Sequence, residues 1–296
     1  MQGTVDGFSY GTLTPLAAYV MACLGAALGL RCITRSLRDD ASRKAGWLAL
    51  GAASIGCGIW TMHFIAMIGF QVEESRIRYD VGLTILSLAV AVVVVGLGVF
   101  AVGYRGASTL TLIAAGAFTG LGVAAMHYIG MAAIRLNGGL RYDIPTVALS
   151  VVIAVGAATA ALWAAIAIRG FLASLGASLV MGVAVTGMHY TGMAAVSVHL
   201  HGVSGGVGAG GSAHSLLLPM LLGPVLFLLL AAVVVMFDPL LVLGDGDWNG
   251  GTSRGRAPAQ DADAPAWSGS AFGAPPRTNR RTFSQGGGSR SPGSGP

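Results

Sequence analysis

Three histidines in this 296-residue chain stand in the same local setting. The hexapeptides are Met62-His63-Phe64-Ile65-Ala66-Met67, Met126-His127-Tyr128-Ile129-Gly130-Met131 and Met188-His189-Tyr190-Thr191-Gly192-Met193. Each has a glycine six residues before its first methionine: Gly56, Gly120 and Gly182. With six histidines and eleven methionines in the chain, chance alone gives about 0.2 Met-His pairs. Three at matched spacing define an internal repeat of about 63 residues. On a helix the histidine and the second methionine, at i and i+4, share one face. Imidazole and thioether together form a soft to borderline ligand set, which suits copper, above all Cu(I), far better than Mg²⁺ or Ca²⁺. Ligation requires the histidines to be neutral. A haem held by two histidines, or by His and Met, uses the same atom types, although no CxxCH attachment site is present. A packing role, with each histidine hydrogen-bonded to a neighbouring helix, is the alternative without a ligand.

The elements that carry these residues follow from composition. The chain is 54% hydrophobic and 10% charged, against roughly 25% charged residues in soluble domains. Its apolar runs are long enough to cross a ~30 Å hydrocarbon core as helices. The expected fold is all-α: a polytopic membrane protein of seven transmembrane helices, with an internal repeat of helix pairs. The spans are expected at 13–33, 46–70, 82–103, 108–133, 145–169, 171–198 and 216–243. The valine-rich third span is expected to be helical, because an open strand edge has no partner in lipid. Recurrent Gly and Ala point to closely packed helices. Asp80 and Asp143 follow Arg-Tyr in both cases and stand where helix N-caps belong, with Pro145 in the first turn. Pro219 and Pro224 imply a kink in the seventh helix.

Charge sets the expected orientation. Arg31, Arg35, Arg38, Arg43 and Lys44 fall in or beside the first loop, Arg105 and Arg169 in the third and fifth, and Arg254 to Arg290 in the tail. With seven spans these lie on one side, which the positive-inside rule makes cytoplasmic. The N-terminus is then outside, and all three histidines lie at similar depth toward the outer face. In such a chain the net charge of +5 is a topology signal and not a sign of nucleic-acid binding. The first 14 residues lack Lys and Arg, unlike the start of a cleaved signal peptide.

The transmembrane domain is expected to cover residues 1–243. Residues 244–296, rich in Gly, Ser, Pro and Arg, read as a disordered cytoplasmic tail. Cys23, Cys32 and Cys57 form no CxxC pair and read as small packing residues. No P-loop, kinase or metallohydrolase motif is present, so the expected protein is not an enzyme. His199, His201 and His214 belong to the third repeat and stand apart from its motif.

The three hexapeptides resemble those of the MHYT family of bacterial integral membrane sensor domains. Met188-His189-Tyr190-Thr191 is a complete copy of the family's string. Met126-His127-Tyr128-Ile129 departs at the fourth position, and Met62-His63-Phe64-Ile65 at the third and fourth. The resemblance covers about residues 13–243. It implies residence in the bacterial cytoplasmic membrane and copper coordination near the outer face by Met, His and Tyr side chains. It also implies sensing of a diatomic gas (O2, CO or NO) or of redox state. The positions that inherit the metal-binding role are Met62, His63, Met67, Met126, His127, Met131, Met188, His189 and Met193. Phe64 has no phenol, so the three motifs cannot all use a tyrosine ligand. Many family members continue into diguanylate-cyclase, phosphodiesterase or histidine-kinase domains. This chain does not, so a sensor of this kind would need a separate signalling partner.

Four functional classes follow. A metal-dependent membrane sensor leads; the others are a copper carrier or chaperone, a haem-bearing electron carrier, and a bundle whose motifs only pack. A carrier would favour a Met and His path continuing inward. Met181 is two turns below Met188, and Met21, Met220 and Met236 lie elsewhere.

Overall fold

The computed structural model describes residues 5–6, 10–38, 41–72, 77–106, 108–200 and 213–238. Among the described residues, seven helices have the length and apolar character to cross a membrane. They are α1 (Leu13–Ser36), α2 (Ala41–Ile68), α3 (Val81–Arg105), α4 (Thr109–Ala132), α5 (Ile144–Ala167), α6 (Phe171–Ala194) and α7 (Ala213–Met236). The chain is a multi-pass membrane protein. A 24-residue helix rises about 36 Å, enough to span the apolar core with some tilt. The valine-rich α3 is helical, as lipid requires.

Six short strands complete the repeat: β1 (Val5–Asp6), β2 (Gln71–Val72), β3 (Arg78–Tyr79), β4 (Ile134–Arg135), β5 (Gly138–Tyr142) and β6 (Val196–Leu200). They pair antiparallel as β1 with β2, β3 with β4, and β5 with β6. The true repeat unit is therefore βααβ. The strand entering each helix pair is laddered to the strand leaving it, and all three ladders lie at the same end of the bundle. The sixth span stops at Ala194, not at 198, because β6 takes over the backbone hydrogen bonds from Val196. The described part of α7 ends at Met236 and runs through Pro219 and Pro224. Residues 239–296 lie outside the described residues, and with them the expected tail.

The helices of each unit pack on one another, and each second helix packs on the first helix of the next unit. Contact between α6 and α1 closes a six-helix ring. The glycine before each motif makes these junctions close. A Cβ on Gly56 would stand 2.9 Å from the Val92 Cα on α3. On Gly120 it would overlap the Val155 backbone on α5, and on Gly182 the Cys23 Sγ on α1. Val92 and Val155 are themselves 63 positions apart. The close helix packing expected from the small residues is thus present at all three unit boundaries.

Outside the ring, α7 lies against α1 and α2. Leu28, Cys32 and Cys57 there meet Leu228, Ala231 and Val235 in a separate apolar cluster. Cys23, Cys32 and Cys57 are free thiols. At the far end of α7, Asp238 accepts from the Arg35 Nε at 2.7 Å, with both side chains buried.

The N-caps are as the sequence indicates. The Asp80 carboxylate accepts from the Leu83 N–H at 3.0 Å, and that of Asp143 from the Thr146 N–H at 3.1 Å. Pro145 occupies the first turn of α5. The Leu83 N–H and the Arg135 guanidinium hold the Asp80 carboxyl below the usual carboxylate range. The Thr146 hydroxyl and N–H do the same for Asp143.

Candidate metal centre

The three motif histidines meet. His63 sits on α2, His127 on α4 and His189 on α6, each within the last two turns of its helix. Their Nδ1 atoms form a triangle with sides of 3.0, 3.2 and 3.3 Å. The rings stand nearly perpendicular to one another, with centroids 4.9 to 5.1 Å apart and interplanar angles of 74 to 87°. All three residues are buried. Each imidazole also meets the aromatic residue that follows it edge to face: Phe64 at 4.7 Å, Tyr128 at 4.9 Å and Tyr190 at 5.0 Å. The result is a three-bladed propeller with nitrogen at its hub.

Such a hub is unfavourable without something in it. The Nδ1 of each ring points either an N–H or a lone pair into the triangle. Two protons cannot share so small a space, so at least two rings carry their proton on Nε2 and turn lone pairs on each other. The Nε2 atoms of His63 and His127 are buried and have no hydrogen-bond partner. A cation at the hub would satisfy the three lone pairs together. The centre of a triangle with these sides lies about 1.8 Å from each nitrogen, close to the ~2.0 Å of an imidazole–metal bond. The residues therefore fit a three-coordinate metal ion. Among the described residues, no Asp, Glu or Cys joins the cluster.

Two glycines make room for the propeller. A Cβ on Gly130 would collide with the Nε2 of His63, and one on Gly192 would stand 2.6 Å from the Nε2 of His127. These are the glycines of the second and third hexapeptides. Each receives the imidazole of the preceding repeat against bare backbone. The first hexapeptide has Ala66 at the same place. The motif itself displayed this Gly-Gly-Ala series, but only the inter-helix geometry gives it a meaning.

The six motif methionines are buried or half-buried in the apolar clusters. Met62 lies with Ala18, Ala22 and Ala66. Met67, Met126, Met131 and Met188 are buried in the main core, and Met193 is half-buried against it. His199 lies outside the triangle, opposite Gly139 in the β5–β6 ladder. His201 and the side chain of His214 lie outside the described residues.

A second set of polar links sits beside the histidines. The Tyr128 hydroxyl is 2.7 Å from the Ser150 hydroxyl on α5. At the equivalent junction one repeat earlier, Phe64 has no hydroxyl and Ser87 stands in place of Ser150. There the Trp60 Nε1–H donates to Ser87 at 2.9 Å. Trp60 occupies the position of Ala124 in the second repeat, so a residue one turn away supplies the donor that Phe64 lacks. Both serines also donate to a carbonyl of their own helix at 2.7 Å.

A ring of helix pairs with three histidines converging at one end defines a repeated multi-pass membrane domain. The family model described as a bacterial signalling protein N-terminal repeat matches residues 56–115 and 120–178, and the chain belongs to this MHYT family. It is 35% identical over 207 residues to the bifunctional diguanylate cyclase/cyclic di-GMP phosphodiesterase MucR of Pseudomonas aeruginosa, covering 68% of this chain and 30% of that protein. Against the cyclic di-GMP phosphodiesterase NbdA of the same organism it is 36% identical over 206 residues, covering 66% of this chain and 26% of that one. An uncharacterized signaling protein of Caulobacter vibrioides is 36% identical over 157 residues, 52% of this chain and 19% of its own length. The chain thus spans less than a third of the curated relatives it matches. No solved structure matches it.

Proposed function

We propose that this membrane signalling domain binds one copper ion through the Nδ1 atoms of His63, His127 and His189, and reports a diatomic gas or the redox state at that ion. The observation that supports this is the nitrogen triangle: three buried neutral ligands on three helices, equidistant from one point. Charge favours Cu(I) over a divalent ion. The cost of burying an ion rises with the square of its charge, and among the described residues no anionic side chain joins the cluster to offset it. Three imidazoles also suit zinc, which becomes an outcome of the test. Three ring nitrogens within 3.3 Å of one another favour a single small ion over haem.

When bound, copper supplies an open coordination position and a one-electron couple. The chain's own residues supply the rest. The helices hold three imidazoles in one tautomer, the flanking rings fix their tilt, and the buried setting excludes water. Because the ligands come from α2, α4 and α6, a change in preferred coordination geometry biases the relative positions of all three units. The thioethers of Met62, Met67, Met126, Met131, Met188 and Met193 are the further soft donors that the motif supplies. With the basic loops on the cytoplasmic side, the centre faces outward and the reading partner is cytoplasmic or in the membrane.

Elemental analysis of the detergent-purified chain, with affinity measured by competition against a Cu(I) chelator, tests the reading. About one copper per chain is expected, against none in the His63→Ala/His127→Ala/His189→Ala variant. Zinc at equal stoichiometry, or no metal under either reducing or oxidising conditions, overturns it. If thioethers enter the shell, Met67→Leu, Met131→Leu and Met193→Leu weaken Cu(I) more than Cu(II).

A further inference from the structure

A cavity of about 60 Å³ lies inside the ring, and its lining follows the repeat. Ile59, Val123 and Val185 each stand four residues before a motif histidine, and all three line it. So do Ile55, Thr119 and Met181, each eight residues before. On α-helices these layers lie about 6 and 12 Å below the histidines. The cavity is therefore a chamber beneath the nitrogen triangle, on the side away from the strand ladders. Met188, the residue before His189, also lines it.

The chamber exists because the third unit breaks the repeat. Val95 on α3 lines one wall, and its counterpart 63 residues later on α5 is Ala158. Val94, Gly98 and Val102 likewise become Ala157, Ala161 and Ala165, all of which line the space. The smaller side chains at 157, 158 and 165 vacate more volume on one side of the axis than Leu162, in place of Val99, takes back. Of the lining side chains among the described residues, only Thr119 bears a hydroxyl, and that group faces the Val94 carbonyl at 3.5 Å. A buried water needs two to four polar partners, which this wall does not provide, so a cavity of this kind stays dry.

We infer that this chamber is a binding site for a small, uncharged, apolar molecule of the size of dioxygen or xenon, placed to deliver such a molecule to the inner side of the histidine centre. The delivery part rests on the copper reading; the chamber does not. Apolar solutes concentrate in the bilayer interior, and the chamber's walls are formed by the membrane-spanning helices. Charged or strongly hydrated species have nothing to replace their water there. Selection for small apolar ligands would thus be made by the wall before any coordination chemistry begins.

Two measurements on the full chain separate the claims. Crystals of metal-free protein pressurised with xenon should show xenon in the chamber. Ala158→Phe should abolish that peak by filling the space, with Ala158→Leu as the milder variant should the larger one not fold. Ordered water in the chamber, or xenon confined to the lipid-facing surface, overturns the inference. In Cu(I)-loaded protein, carbon monoxide rebinding after flash photolysis should be severalfold slower in the Ala158 variants at unchanged copper content. An unchanged rate overturns the delivery role. A protein that takes up no copper ends the metal reading while the xenon result still decides the chamber.

Discussion

His63 and His127 lie against the backbones of Gly130 and Gly192, which makes glycine a condition of the nitrogen triangle. Gly130→Ala should push the His63 ring off the hub, cutting copper affinity severalfold while leaving the helix intact, because alanine is the better helix former by roughly 1 kcal/mol. Chelator competition beside circular dichroism checks both halves; equal affinity would show that the ring need not sit where it does. The histidines themselves should behave as one unit. Each single alanine variant should lose most bound copper and the triple variant little more, the non-additivity expected of ligands to one ion. Losses of one third per histidine would mean three separate sites. At this scale the sequence was legible through the 63-residue spacing, which demanded that the histidines share a depth. It did not show which ring nitrogen faces inward, because that depends on the rotation of three helices about their axes. The methionines carried equal weight in the motif, and in the fold they are buried or half-buried in the apolar clusters.

The junctions between units depend on side chains that replace one another across repeats. Trp60 bonds Ser87 where Tyr128 bonds Ser150. Trp60→Ala should cost about 3 kcal/mol or more by emptying a fully buried site and leaving Ser87 without its partner. Adding Phe64→Tyr recreates the second unit's Ala124, Tyr128 and Ser150, and should recover part of that loss. Thermal unfolding in detergent measures both; a double variant no better than the single would show that the two junctions are not equivalent. The Asp80 cap adds a pH dependence. Its carboxyl is held below the ordinary value of 3.8. The stabilisation is therefore complete above about pH 4 and fades as pH falls through the lowered value, a loss that Asp80→Asn should flatten. The helices and both Asp caps could be read from apolar length and from position. The two-residue ladders could not, since β1 to β4 have no period to display. Nor could the alanine face of α5, whose volume deficit appears only when α3 is laid beside it.

Across the whole molecule, reporter fusions at Gly138 and Gly206 should read outside and those at Arg105 and Gly250 inside; an inside signal at Gly206 would reverse the placement of the centre. Breaking the buried Arg35–Asp238 pair with Asp238→Ala should destabilise the chain by about 3 kcal/mol, the usual cost of removing one partner of a buried ion pair. The number of spans was readable because a bilayer fixes how long an apolar segment must be. Ring closure was not, because the contacts that join α1 to α6, among them the Tyr19 hydroxyl on the Leu179 carbonyl, link residues about 160 positions apart with no motif to mark them. The βααβ unit has one more consequence, a matter of parity. A unit with two crossings returns the chain to the side it came from, so three units can be laid end to end without inverting any of them. It also means that the six-helix ring, however it shifts around its histidines, starts and finishes the chain on one side of the membrane. The seventh crossing alone breaks that evenness, and through Arg35 and Asp238 its far end is fastened to the first helix of the ring. Among the described helices, the one that adds this odd crossing is also the one that belongs to no motif-bearing pair.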